Sequence, residues 1–310
     1  CMANCGYVTL PNGRQIHFRA EGSGPPLLVL HPSPQHSGAM GAALNAFSPL
    51  CTCIAMDTPG YGWSDAVALE TPTVSDYAIV LNDAMTALGF DRYFVYGAAT
   101  GAQFAAELGK LYPDRARFVM LDSNGHISDE MATRLIDSGY FADVTPRRDG
   151  GHLLTYWDMC RQLFFSFPWN SDDPAERLGL DLAPADMTHA IFLRYLLAGK
   201  DYAKAYKAAL HSEKRAHLDG LNVPSIMTRW EGSPVKNIAD DLINMGLPEC
   251  ITVHYAGAGL DARYGVQADA LKQQREDQQY KSGHPPVTHY IHLPAEPRPP
   301  DAGNPANIQQ

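Results

Sequence analysis

Residues 96–104 read YGAATGAQF, and this stretch constrains the fold more than any other. It follows a short apolar run, YFVY, and opens an Ala-rich segment, AAELGKLYP. An apolar run, a Gly-x-x-x-Gly turn and a helix former predict strand, tight turn and helix in direct succession. Gly97 and Gly101 keep the turn small enough for strand and helix to meet. The residue between them is then held in a strained backbone conformation at the mouth of the sheet. Here it is Ala99, which carries no reactive group.

The rest of the chain repeats the alternation. YVTL and QIHFRAE read as two strands joined by the turn PNGR. PPLLVLHPSP and CTCIAMDTPGYGWSD each begin as a buried strand and end in a loop rich in Pro and Gly. SDYAIVLNDAMTALGF has helical periodicity, with Ser75 expected as the N-cap and Gly89 at the end. ARFVMLDSNG is a further buried strand. From His126 to about Gly220 the rhythm becomes helical, clearest in HLLTYWDMCRQLFFSF and MTHAIFLRYLLAGKDYAKAYKAAL. Strand–helix alternation returns with VPSIMTRWEG and ECITVHYAGAG, and GVQADALKQQRED reads as a closing helix. The expected class is therefore α/β: a mostly parallel sheet flanked by helices, with an inserted helical cap. The expected divisions are 1–125 and 221–276 for the two halves of the core, 126–220 for the cap and 277–310 for a Pro-rich, extended tail.

Composition narrows the function. The 310 residues carry a net charge of −10 with no basic block, which argues against nucleic acid and anionic membranes as partners. The six cysteines are scattered without metal or disulfide spacing and read as buried free thiols in a reducing compartment. The opening CMANCGYVTLPNG lacks a basic head and apolar core of signal-peptide type, and no apolar stretch reaches membrane-spanning length. A cytoplasmic protein acting on a small molecule is expected, with no cofactor and no metal; a homodimer is left open.

Four marks in order, over residues 8–275, resemble the α/β-hydrolase fold with a helical cap. LLVLHPSP resembles the strand and loop that supply half of an oxyanion hole. DTPGYGWSD resembles the Asp-x-Pro-Gly-x-Gly-x-Ser loop. YGAATGA stands where the Gly-x-Ser-x-Gly elbow belongs, and YPDRARFVMLD matches the passage after it. The form GAATGA, with DGGHLL at 149–154, also resembles a branch whose elbow reads Gly-x-His-Thr-Gly-Ala; Ala99 departs from that branch too. The resemblance implies that the N–H groups of Ser33 and Thr100 form an oxyanion hole.

It also implies a nucleophile, a His and an acid. Ala99 removes the first. At the acid position the chain has Ser233, with Glu231 as the turn's carboxylate; at the His position it has Leu260, with Asp261 beside it. Three departures at three places point to a naturally triad-free protein rather than to one Ser-to-Ala substitution. His31, His36, Asp122, His126 and Asp261 remain as candidates for proton transfer. Against three of them stands a plainer role: loop prop for His31, loop cap for Asp122, helix cap or salt bridge for Asp261; His36 faces either pocket or solvent, and His126 stands at the entry to the cap. Trp157, Phe165, Trp169, Trp230, Leu260 and Tyr264 are candidates for a largely apolar substrate site, although most cap aromatics would serve the cap's own core. His284, His289 and His292 fit no standard metal site. The leading expectation is an enzyme on a small carbonyl or carboxylate compound, of lyase, decarboxylase, isomerase or cyclase type. A serine hydrolase carrying Ser-to-Ala and a ligand-binding protein without catalysis are its rivals.

Overall fold

The computed structural model describes residues 4–282. The histidines at 284, 289 and 292 and most of the expected tail lie outside the described residues. The chain opens with the antiparallel pair β1 (Asn4–Thr9) and β2 (Gln15–Glu21), in register at Val8 and Ile16. The alternation follows: β3 (Pro26–Leu30), α1 (Gly41–Phe47), β4 (Thr52–Met56), α2 (Val74–Ala87), β5 (Tyr93–Ala98), α3 (Thr100–Leu111) and β6 (Ala116–Asp122). Four helices come between β6 and the next strand: α4 (Asp129–Asp137), α5 (Gly151–Gln162), α6 (Ala185–Ala198) and α7 (Ala203–Ser212). Then come β7 (Ser225–Trp230), α8 (Lys236–Asn244), β8 (Ile251–Ala256) and α9 (Leu260–Ser282).

The eight strands form one sheet in the order β1-β2-β4-β3-β5-β6-β7-β8. β1 and β2 pair antiparallel with each other, β2 pairs antiparallel with β4, and the remaining pairs are parallel. The inner strands are covered on both faces, which is why they are continuous apolar runs. Alternate residues feed opposite cores. Leu28, Leu30, Ile54 and Val95 pack with Leu81 and Phe104 of α2 and α3. Leu27, Val29, Cys53 and Tyr96 pack with Phe47 of α1 and Leu271 of α9.

Local details differ from the sequence expectations. The N-cap of α2 is Thr73, not Ser75: its hydroxyl accepts from the Asp76 N–H, and the Asp76 carboxylate accepts from the Thr73 N–H. This capping box engages two N–H groups that the helix leaves unpaired. Ser75 instead donates to Glu107 of α3. The segment 187–210 is two helices rather than one, divided at Gly199, whose φ of 62° stops α6. The closing helix starts at Leu260, five residues before Gly265. Of the thiols, Cys51, Cys53 and Cys160 are buried, while Cys5 is exposed and Cys250 half-buried. Among the described residues no helix is long and apolar enough to cross a membrane.

Candidate functional site

The turn at Ala99 is as tight as its glycines require. β5 ends at Ala98 and α3 begins at Thr100, leaving Ala99 alone between them at φ 49°, ψ −116°. A Cβ on Gly97 would lie 2.2 Å from the Gly101 carbonyl oxygen, and one on Gly101 2.6 Å from that of Leu30. The Ala99 N–H donates to the Asp122 carbonyl at 2.8 Å, anchoring the turn to the end of β6. Ala99 is half-buried and Thr100 buried. The Thr100 N–H is the first of α3, so it has no carbonyl of the helix to donate to and sits at the positive end of the dipole.

The second amide expected of the oxyanion hole is engaged elsewhere. The Ser33 N–H donates to Thr100 Oγ1 at 2.6 Å, and Thr100 Oγ1 donates to Ser33 Oγ at 3.0 Å. The Thr100 hydroxyl thus latches the loop after β3 to the start of α3. The expectation of two open donors is corrected to one, because a hydroxyl at position 100 supplies a local acceptor.

At the acid position, the buried Ser233 hydroxyl accepts from the Val235 N–H at 3.3 Å. Glu231 is exposed and paired with Arg229 and Lys236, which hold its carboxyl below the usual range. At the His position, Leu260 is 52% exposed and Asp261 lies exposed in the first turn of α9.

One turn further, α9 supplies a residue the sequence reading missed. Arg263 Nε donates to both carboxylate oxygens of Asp122, at 2.9 and 3.1 Å. Tyr96 donates to the same carboxylate at 2.5 Å, and the Ser123 hydroxyl at 3.3 Å. Asp122 is fully buried, so its charge needs these partners. Arg263 lies over the rings of Trp230 and Tyr264, 4.5 and 5.4 Å from their centroids. Burial works against the Arg263 charge, but Asp122, Tyr96 and Tyr264 outweigh it and raise its pKa. Trp230 and Tyr264 therefore pack the guanidinium. Ser123 has φ 52°, so β5 and β6 are each followed directly by a strained non-glycine residue.

The candidate histidines have structural partners. His31 Nδ1 lies 2.9 Å from the Pro32 carbonyl, and its Nε2 accepts from the Thr58 N–H at 2.9 Å. The Pro32 carbonyl can only accept, which places the proton on Nδ1 and keeps both ring nitrogens occupied. Burial lowers its pKa, against the pull of Asp57. His36 Nδ1 accepts from the Gly38 N–H at 3.0 Å and burial pushes its pKa down to about 4. His126 Nδ1 accepts from the Arg215 N–H at 3.2 Å. Asp57, fully buried, ties this region together through His17 at 2.9 Å and the N–H groups of Ser37 and Trp63 at 2.7 and 3.1 Å. Burial opposes its charge, and these partners still hold its carboxyl below the usual range.

Under α5, α6 and α7 lies a cavity of about 10 Å³, at the lower limit for one water-sized group. Its walls include Pro34, Trp169, Tyr140, Tyr195, Tyr202 and Tyr206. Ala99, Thr100 and Ser33 are not among its lining residues; Pro34, next to Ser33, is the link. Of the expected cap aromatics, Trp169 reaches it and donates Nε1–H to the Tyr140 carbonyl at 2.9 Å. Trp157 instead packs edge-on against Phe192, and Phe165 lies under Arg177. Just past α7 sits Glu213, 7% exposed, whose carboxyl makes no hydrogen bond or ion pair with any described residue. Burial alone pushes it up to about 7. No sequence signal marks it, because its burial depends on how α7 packs.

The sheet order, the strained turn after β5 and the helix behind it are accompanied by a family match. A sequence profile described as the alpha/beta hydrolase fold matches residues 25–202. The chain belongs to this family. Over 107 residues it is 30% identical to haloalkane dehalogenase 2 of Mycobacterium tuberculosis, covering 34% of this chain and 37% of that protein. Over 106 residues it is 30% identical to the pimeloyl-acyl-carrier-protein methyl ester esterase of Nitrosomonas europaea, covering 34% and 40%. The chain thus matches well under half the length of these relatives. Epoxide hydrolase A from Mycobacterium thermoresistibile superposes at a TM-score of 0.65 and 16% identity, over 88% of this chain and 98% of that one. An E-2-(acetamidomethylene)succinate hydrolase does so at 0.60 and 19%, over 88% and 99%. At these identities the two structures speak for the fold alone.

In this α/β hydrolase the elbow offers an amide at a helix N-terminus and no nucleophile. Among the described residues no histidine follows β8. Beside the elbow, at the end of β6, stands the Arg263–Asp122 pair. The arrangement can polarise an oxygen but cannot form an acyl-enzyme.

Proposed function

We propose that this α/β hydrolase is an enzyme on a small, largely apolar carbonyl or carboxylate compound, working without a covalent intermediate. The observation that carries the reading is Ala99. It keeps the strained geometry of a nucleophile elbow, φ 49°, ψ −116°, with the Thr100 N–H at the start of α3, yet presents only a methyl group. A turn strained by a non-glycine residue persists where the surroundings impose it, and functional sites are where such strain clusters. The reaction is then of lyase, decarboxylase, isomerase or cyclase type. The Thr100 amide stabilises an oxyanion or enolate, and the proton moves through a cap or loop side chain.

The hydrolase reading draws on the relatives, which include an esterase by name. It requires a Ser at position 99 and a His to activate it. The discriminating experiment is Ala99→Ser, assayed with p-nitrophenyl acetate and with a fluorophosphonate label. A triad-free enzyme stays unlabelled and shows no burst. Labelling of the variant supports the hydrolase and overturns the proposal.

A further inference from the structure

Two arginines meet between the core and the cap without a counter-charge. Arg19 of β2 and Arg194 of α6 are both half-buried. Neither forms an ion pair with any described residue. Charged groups withdrawn from water are normally paired. The Arg19 Nε is enclosed, and no described group accepts its hydrogen. Arg194 has one partner, Gln35 Oε1, which accepts from Nη1 at 3.2 Å. That contact joins the cap to the loop after β3 through a neutral acceptor and leaves the charge in place.

The two guanidinium groups share a neighbourhood with His36. Burial first, and then the like charge of Arg19, push the Arg194 pKa down. A Cβ on Gly38 would lie 2.6 Å from His36 Cε1 and 3.6 Å from Arg19 Nη2, so ring and guanidinium flank the same glycine. His36 also directly follows Gln35, the residue that Arg194 reaches. Its Nδ1 accepts from the Gly38 N–H, which leaves the proton on Nε2 as a donor. Burial pushes the ring down to about 4, so at neutral pH it adds a donor and no third charge. Negative charge nearby is already committed or out of reach. Asp57, whose field acts on His36, is held by His17 and by the N–H groups of Ser37 and Trp63. Glu21, two residues beyond Arg19 on the same face of β2, makes no ion pair with a described residue.

We propose that Arg19, Arg194 and His36 form a binding site for a small oxyanion, a carboxylate or a phosphate, that bridges the cap to the core. A guanidinium offers paired N–H donors to either anion, and such charge-assisted bonds are about twice as strong as neutral ones. The bound anion takes the unmet donors, offsets the repulsion between the arginines and ties α6 to β2. The site holds whatever reaction the elbow performs.

The test titrates inorganic phosphate and acetate into the full chain by calorimetry, in a low-salt zwitterionic buffer at neutral pH. The wild type is expected to bind at least one of them saturably. Arg19→Met and Arg194→Met should each weaken that binding about tenfold, one charge-assisted hydrogen bond's worth. At matched ionic strength the anion should raise the melting temperature of the wild type and of neither variant. The two variants sit on different elements, so if one fails to fold the other still decides. Arg148→Met removes an exposed charge elsewhere on the cap and should bind as the wild type does. Tighter phosphate assigns the site to phosphate or its monoesters, and tighter acetate assigns it to a carboxylate. No saturable binding of either anion, or an equal loss in Arg148→Met, overturns the proposal. Ala99→Phe covers the Thr100 amide and should leave the affinity unchanged; loss of binding there would place the anion at the elbow and overturn the site.

Discussion

Arg263 Nε lies 2.9 Å from Asp122 Oδ2, joining the first turn of the last helix to the end of β6 beside the elbow. The same Asp122 accepts the Ala99 N–H through its carbonyl. One residue thus holds the strained turn by its backbone and the C-terminal helix by its side chain.

Breaking this pair from one side leaves a buried charge without its partner. Arg263→Met should destabilise the fold by about 3–5 kcal/mol in urea unfolding. Arg263→Met combined with Asp122→Asn should recover part of that loss. A single variant as stable as wild type would show that the pair carries no structural weight.

Thr100→Val keeps the shape of residue 100 and removes its hydroxyl. The Ser33 N–H then loses its acceptor in a buried place, at a cost of about 1–3 kcal/mol. The same change opens the Ser33 amide toward the elbow. Chemical denaturation reads the cost, and the Ser33 amide's hydrogen exchange should rise by at least an order of magnitude, about 1.4 kcal/mol of lost protection.

Glu213 sets a pH dependence with a definite sign. Its pKa is about 7 in the fold against an ordinary 4.5, so between these values the folded protein holds a proton that the unfolded chain has released. Stability therefore falls as pH rises from 4.5 toward 7 and is level above, by on the order of 3 kcal/mol for this group. Glu213→Gln removes the slope. Urea midpoints at pH 5 and pH 8 should differ less in the variant, and at pH 8 the variant should be the more stable protein.

Ala99→Phe places a ring over the Thr100 amide without touching the sheet. Because Ala99 already has positive φ, the backbone strain is not new. Melting should show a loss of about 1 kcal/mol, ordinary for a single substitution. Turnover or ligand affinity should disappear; a folded variant with full activity would place the chemistry elsewhere.

The sequence alone determined the strand–turn–helix alternation, the parallel sheet with helices on both faces, and the elbow at Ala99. These follow from apolar runs, glycine turns and helix periodicity, all of which act within a few residues. Even locally, the competition between Thr73 and Ser75 to cap α2 was settled by which hydroxyl had Asp76 three residues ahead. The loss of the nucleophile was legible because Ala99 lies inside a turn whose glycines mark the position. What occupies the rest of the site was decided only in three dimensions. The Ser33–Thr100 latch joins residues 67 apart, and the Asp122–Arg263 pair joins residues 141 apart. The Glu213 carboxyl is anomalous only because the packing around the end of α7 buries it. Hydrogen-bond partners and desolvation are properties of packing, and no spacing along the chain encodes which distant group will meet a buried polar atom.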